Sequence, residues 1–358
     1  MHAEGAAVEI IAATVSPDLD ERLASRFPSL SRRLLARILA LPRQSPVRRS
    51  ALKRTFRTHG GTSHPAGGVF RTPEERFERL PAFAFEPTYR TVGDLRLAHI
   101  DVGEGAPVVM LHGEPAWSFI WRKVIAPIRD AGYRCIAPDH AGFGRSDKPM
   151  NPGWQSFERH VELTGTLLEE LDLHDVSLVL HDFGGPIGLM LALANPRRIA
   201  RIVILDTAID PREVWMNETW VRTREFVEST EDFPVGELMR ATCLDDPGDE
   251  VVAAYQAPFP VTESQGWRGL MLGIPRKGDK SAAAAADAFY DALRRDPRPM
   301  LFLWAQSDTF LTLASGQRLA ARIGRHIDHV IPQSGHAVPE DQGEMVSKLI
   351  VDWLDGCD

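Results

Sequence analysis

Cysteine is scarce in this chain. Three occur in 358 residues, Cys135, Cys243 and Cys357, with no CxxC or other metal-ligand spacing. An odd, widely spaced set excludes a disulfide framework and the common zinc patterns, and it fits a reducing compartment. Long hydrophobic runs are absent too. None approaches the ~18 residues of a membrane span, and the N-terminus lacks the basic-then-apolar pattern of a secretory signal. No integral span and a cytoplasmic location are therefore expected. Nor is there an excess of basic charge: 41 Lys+Arg stand against 49 Asp+Glu, a net charge of −8, which argues against nucleic acid as a partner of the whole molecule. What remains is the composition of an ordinary globular enzyme, 44% hydrophobic and 25% charged. The length calls for one large domain plus an inserted or terminal module.

Residues 1–66 stand apart. They hold eleven Lys+Arg and five Asp+Glu, a balance of +6 that leaves −14 for the rest. Leu30, Leu34, Ile38 and Leu41 recur at helical spacing while Arg32, Arg33 and Arg37 lie off that stripe, which predicts a short basic amphipathic helix. Such a helix either packs on its own domain, followed by a flexible linker at Thr58–Gly68, or contacts a membrane surface or partner. From about Phe70 short apolar strands alternate with helix-length segments: Val108–Leu111, Cys135–Ala137, Val176–Leu180, Ile202–Leu205 and Met300–Trp304. This rhythm predicts a mostly parallel sheet covered on both faces. Tyr89–Thr91 and Leu95–Asp101 would be an antiparallel opening pair. The strands stop between about Asp206 and Arg298, where helical stretches take over. The expected organisation is a basic arm over 1–66, a core in two parts over 67–206 and 298–358, and a helical cap over 207–297.

The most informative residues are His181-Asp182-Phe183-Gly184-Gly185. They join the strand at Val176–Leu180 to a small-residue helix from Pro186 onward. Strand, sharp turn and helix, with a reactive side chain at the apex and glycine just beyond, make the nucleophile elbow of the α/β-hydrolase fold. The apex is aspartate where that motif usually carries serine. A carboxylate nucleophile forms an alkyl ester from an electrophilic sp3 carbon, so the expected chemistry is displacement of a leaving group or opening of a strained ring.

Such a nucleophile needs help, and the sequence offers candidates. His336, after the strand His329-Val330-Ile331, is the general base for ester hydrolysis. Asp308, just past the strand at Met300–Trp304, is the carboxylate that orients it, giving the chain order nucleophile, acid, histidine. Asp206, at the end of the strand before the cap, is the alternative acid. The backbone N–H groups of Glu114, in His112-Gly113-Glu114-Pro115, and of Phe183 are the expected oxyanion-hole donors. The glycine loop Asp139–Asp147 reads as structural. No metal or organic cofactor is implied; the expected partners are a small-molecule substrate and water.

Together these motifs resemble the haloalkane dehalogenases of the α/β-hydrolase superfamily, over about Phe70 to Trp353. His112-Gly113-Glu114-Pro115-Ala116-Trp117-Ser118-Phe119-Ile120-Trp121-Arg122, Ile136-Ala137-Pro138-Asp139, Gly142-Phe143-Gly144-Arg145-Ser146-Asp147-Lys148-Pro149 and Ala254–Pro260 are similar to the subgroup with Glu after His-Gly. In that subgroup the acid follows the later strand, which favours Asp308 over Asp206. One position departs. The family pattern puts tryptophan directly after the nucleophile, where its indole N–H helps hold the departing halide, and this chain has Phe183. The resemblance implies a second halide donor early in the cap, Trp220 or else Trp215. Two rival readings share the same residues. An epoxide hydrolase would need acids from the cap, and Tyr255 and Tyr290 are the tyrosines there. A non-catalytic binding protein would have kept the fold and lost turnover.

Overall fold

The computed structural model describes residues 67–357; the expected amphipathic helix and most of the expected linker lie outside them. Residues 67–221 and 231–357 fall in one compact unit, which holds the sheet and every residue of the site. Residues 222–230 fall in a second unit and continue the helix Glu218–Ser229.

Ten strands are present among the described residues: β1 (Val69–Phe70), β2 (Thr88–Val92), β3 (Leu95–Val102), β4 (Pro107–Leu111), β5 (Arg134–Pro138), β6 (Lys148–Pro149), β7 (Val176–His181), β8 (Ile199–Leu205), β9 (Met300–Ala305) and β10 (His329–Ile331). Eight of them form one sheet in the order β10-β9-β8-β7-β4-β5-β3-β2. β2 and β3 pair antiparallel, as does β3 with β5, and the other pairs are parallel. β1 and β6 make a small separate antiparallel pair, which the sequence pattern did not announce. The parallel strands are apolar on both faces. Val108 to Leu111, Leu178 to Leu180 and Ile202 to Leu205 are all fully buried, as expected where helices cover both sides.

Each expected strand is present and most run a residue or more longer. Backbone pairing continues past the apolar run: β8 begins at Ile199 and not Ile202, through Ala200 and Arg201. From β8 to β9 the chain is helical, with segments including Pro211–Val214, Val235–Thr242, Asp249–Gln256 and Lys280–Arg294. The last contains the alanine run 282–286. Its N-terminus is capped by Asp279, whose carboxylate accepts the N–H groups of Ser281 and Ala282. No described helix is long and apolar enough to cross a membrane.

The parallel strands all end on one edge, and the order reverses between β4 and β7. In open α/β sheets the crevice beyond the carboxyl ends at such a reversal is where ligands bind. His112, Asp182, Asp206, Asp308 and His336 all follow strand ends on this edge. The glycine loop braces it: Asp139 accepts N–H groups from Ser118 (2.7 Å) and Arg145 (2.8 Å). Buried Lys148 donates to the carbonyls of Gly144 and Ser146. Burial brings the Lys148 ammonium down to about 7.

Candidate active site

Asp182 is the residue after β7, and its φ of +50° puts it in the left-handed region, a conformation that non-glycine residues adopt at a cost. Hydrogen bonds hold it there. Its N–H donates to the carbonyl of Asp206 (3.1 Å), and its carbonyl accepts from Gly185 N–H (2.9 Å) and the Thr207 hydroxyl (2.6 Å). The helix Gly184–Ala194 starts immediately beyond. Two glycines make room. A Cβ on Gly113 would overlap the Asp182 carboxylate, and one on Gly184 would overlap the carbonyl of Leu111.

The Asp182 carboxylate is mostly buried and has two distinct oxygens. Oδ1 accepts the N–H of Glu114 at 2.9 Å. Oδ2 lies 3.4 Å from Nε2 of His336. The imidazole's other nitrogen, Nδ1, is 2.7 Å from Oδ2 of Asp308. The Asp308 carboxylate is fully buried, and its Oδ1 accepts N–H groups from Phe310 (2.7 Å) and Leu311 (2.9 Å). Phe183 is the N-cap residue of the elbow helix, a position where main-chain N–H groups have no partner within the helix. Asp206 makes no hydrogen bond to the imidazole among the described residues. Its carboxyl accepts the N–H of Ala305 instead.

Electrostatics follow from this geometry. Burial disfavours the His336 imidazolium, but the charges of Asp308 and Asp182 outweigh burial and hold it well above its ordinary value. Burial likewise raises the Asp308 carboxyl, and the His336 charge with three hydrogen bonds brings it back below its usual range. Glu114 is pushed the other way: burial, and then the Asp182 charge, raise its carboxyl well above the ordinary value. One Glu114 oxygen accepts the N–H of Met271 at 3.1 Å. His181 is brought down to about 4 by burial and the His336 charge. Its Nε2–H donates to the His336 carbonyl (2.8 Å) and fixes that loop. Among the described residues no group of three or more His, Cys, Asp or Glu is arranged to hold a metal ion.

Residues 106–342 match the family described as alpha/beta hydrolase fold. The haloalkane dehalogenase of Psychrobacter cryohalolentis is 35% identical over 298 residues, covering 80% of this chain and 98% of that protein. Haloalkane dehalogenase 1 of Mycobacterium tuberculosis is 35% identical over 299 residues, with the same coverage. The chain belongs to the haloalkane dehalogenase family. Among solved structures, the tetrameric haloalkane dehalogenase of Paraglaciecola agarilytica superposes with a TM-score of 0.71 at 30% identity. That match covers 79% of this chain and 97% of that one.

Within this haloalkane dehalogenase fold the residues expected at the leaving group have the following partners. Phe183 has no side-chain donor, and its ring stacks on Phe157 with centroids 5.8 Å apart and planes within 6°. The indole N–H of Trp215 donates to the carbonyl of Pro275 at 2.6 Å. Trp220 is buried and packs edge-on against Trp215, ring centroids 5.0 Å apart. Of the two tyrosines needed by the epoxide reading, one has its hydroxyl bonded elsewhere and the other has a buried hydroxyl without a hydrogen-bond partner among the described residues. Tyr255 donates its hydroxyl to Glu340 at 2.8 Å. Tyr290 is buried under the Arg322 guanidinium, 3.7 Å from the ring centroid.

Sequence reasoning missed the supports. Thr207, Phe157 and Glu340 carry no motif, and His181 and Arg122, though inside motifs, were given no role; Arg122 and Glu340 form a buried pair at 2.5 Å. For Thr207 and His181 the available signal was position, each beside an acidic residue at a strand end.

Proposed function

We propose that this chain hydrolyses haloalkanes to an alcohol and a halide ion by way of an alkyl ester on Asp182. The arrangement around Asp182 carries the reading. One carboxylate oxygen is tied to the Glu114 N–H, and the other faces an imidazole that is itself anchored to a buried carboxylate. Oδ2 attacks the halogen-bearing carbon, a C–O bond forms, the C–halogen bond breaks and the electron pair leaves with the halide. Oδ1 becomes the carbonyl oxygen of the ester. Water then attacks the ester carbonyl carbon and gives its proton to His336 Nε2. Glu114 and Phe183 N–H groups stabilise the oxyanion on Oδ1. Collapse regenerates the Asp182 carboxylate, releases the alcohol and leaves a proton to pass to solvent.

The first step prepares the second. While Asp182 is ionised, its charge helps keep His336 protonated. Alkylation removes that charge, so the imidazole loses its proton more readily and can act as base. Asp308 keeps the ring oriented and balances the cation formed when water gives up its proton. Of the two tryptophans expected to meet the leaving halide we infer Trp220, since the indole N–H of Trp215 is bonded to Pro275. The cysteines are unpaired, which supports a reducing, cytoplasmic setting.

The test is halide release from purified protein with a panel of bromoalkanes, alongside diol formation from simple epoxides. Bromide release is expected from wild type and is expected to vanish in Asp182→Ala. In His336→Gln the first turnover should proceed and leave the alkyl group on Asp182, detectable as an added mass on the elbow peptide. Turnover should drop by about 10⁴-fold or more. Diol without bromide would move the assignment to epoxide opening, and no covalent adduct in His336→Gln would remove the ester from the scheme.

A further inference from the structure

Asp206 holds a position that the scheme above leaves without a task. It is fully buried at the end of β8, with a positive φ of 34°. Its carbonyl accepts the N–H of Asp182, and its carboxyl accepts the N–H of Ala305 at 3.0 and 3.3 Å. The same carboxyl is in hydrogen-bond contact with that of Asp308. No Lys, Arg or His is paired with Asp206 among the described residues.

Two carboxyl groups in contact inside a protein cannot both be ionised; they share one proton. The surroundings decide where it sits. Asp308 accepts three N–H bonds, from Phe310, Leu311 and the His336 ring. Asp206 accepts one N–H, shared between its two oxygens. The better-solvated anion is Asp308, so the proton belongs to Asp206. A protonated carboxyl has an O–H to donate, and the Asp308 carboxylate is the acceptor in reach.

We propose that Asp206 is a positioning residue, a neutral carboxylic acid that donates its O–H to Asp308 while its main chain holds the Asp182 elbow. It does not touch the reacting atoms. It fixes the Asp308 carboxylate in the plane that His336 needs, so that Nε2 stays aimed at the water beside the ester. The inference builds on the two-step reading, and through the proton on Asp206 it is also testable apart from that reading.

The experiment compares wild type, Asp206→Asn and Asp206→Ala as full-length chains. Asparagine keeps a donor to Asp308, so bromide turnover should stay within about threefold of wild type. Alanine removes the donor to a charged group, and ester hydrolysis should slow by about 10-fold to 100-fold. In single-turnover mixing that variant should alkylate Asp182 at close to the wild-type rate and accumulate the ester. A residue that merely supported the fold would slow both steps together. Infrared difference spectra between wild type and Asp206→Asn give a readout free of activity and of the alanine variant's folding. Wild type should carry the carbonyl stretch of a protonated carboxylic acid that Asp206→Asn lacks.

Absence of that band, Asp206→Asn falling as far as Asp206→Ala, or normal ester hydrolysis in Asp206→Ala would each overturn the proposal. Failure of wild type to release bromide would instead strike the haloalkane reading, while the infrared band still decides the state of Asp206.

Discussion

The two sides of the site are built to different standards. Around the ester-hydrolysing side, polar groups are chained together: Glu114 N–H to Asp182, Asp182 to His336, His336 to Asp308, and His181 to the His336 carbonyl. All of these lie at or just past strand ends of one sheet, so their spacing is inherited from backbone hydrogen bonding. On the proposed leaving-group side, the candidate residues come from Phe183 and from the helices connecting β8 to β9. There the position after the nucleophile has no side-chain donor, one tryptophan is bonded to a backbone carbonyl, Tyr255 is bonded to Glu340, and the ring of Tyr290 lies under Arg322. We propose that the edge fixes what reaction is run and that the helical segment sets which leaving group and substrate it is run on. Removing supports from the edge should therefore cost stability and the second step. Changing the helical segment should shift the first step and leave the fold alone.

The largest effect belongs to the edge. Glu340 follows the His336 loop and is buried with Arg122, side chains only 3% and 2% exposed, at 2.5 Å, and it also accepts from Tyr255. Glu340→Ala strands the guanidinium in a dry site, and urea denaturation should report a loss of about 3–5 kcal/mol. A loss under 1 kcal/mol would mean that water reaches Arg122 and the edge is less closed than its burial implies.

The edge also has a pH signature. The folded-state value of His336 is raised above its ordinary 6.5, so its ion pairs add stability that is fully present below about pH 6.5. That stability is lost as pH rises through the raised value. The Tm of wild type relative to His336→Gln should be highest in mild acid and decline into the alkaline range. A flat difference would place the imidazole as neutral in the resting protein.

Much of this edge was legible in the sequence, because strand ends leave a local trace. Apolar runs marked β4, β7, β8 and β9, and Asp182, Asp308 and His336 stand at short, countable distances after such runs. The contact of Asp206 with Asp308 and the pairing of Arg122 with Glu340, 218 residues apart, leave no such trace. They depend on how separate strands and helices pack. The same reason hid the fate of Trp215. Its place near the start of the cap made it a reasonable halide donor, and only the path of the chain 60 residues later brings Pro275 to its indole. Tyr255 was open to the epoxide reading until Glu340, 85 residues away, took its hydroxyl.

The helical segment is next. If Trp220 is the remaining indole donor, Trp220→Phe removes a bond to a developing anion, and bromide release should fall about 10-fold to 100-fold. Trp215→Phe, whose N–H already serves Pro275, should change halide release far less and act mainly through packing. Stopped-flow fluorescence with added bromide separates the two, since only the Trp220 variant should lose halide affinity. Equal losses would show that the pair works as one aromatic unit and not through a single N–H.

Phe183 offers the sharpest contrast because it belongs to both sides at once. Its main chain sits at the elbow and is proposed to hold the oxyanion, while its side chain stacks on Phe157 and is proposed to line the leaving-group side. Phe183→Trp adds an indole N–H and leaves the backbone donor in place. If leaving-group stabilisation limits the first step, the substitution should speed bromide release by about tenfold and leave ester hydrolysis unchanged in single-turnover experiments. The larger ring must also displace Phe157, whose plane is parallel to that of Phe183, so Phe183→Trp combined with Phe157→Ala separates the added donor from crowding. A gain that appears only in the double variant would mean the stack blocks the indole. No gain in either would mean that Trp220 alone meets the halide, and that the first step is limited by substrate entry and not by departure of the leaving group.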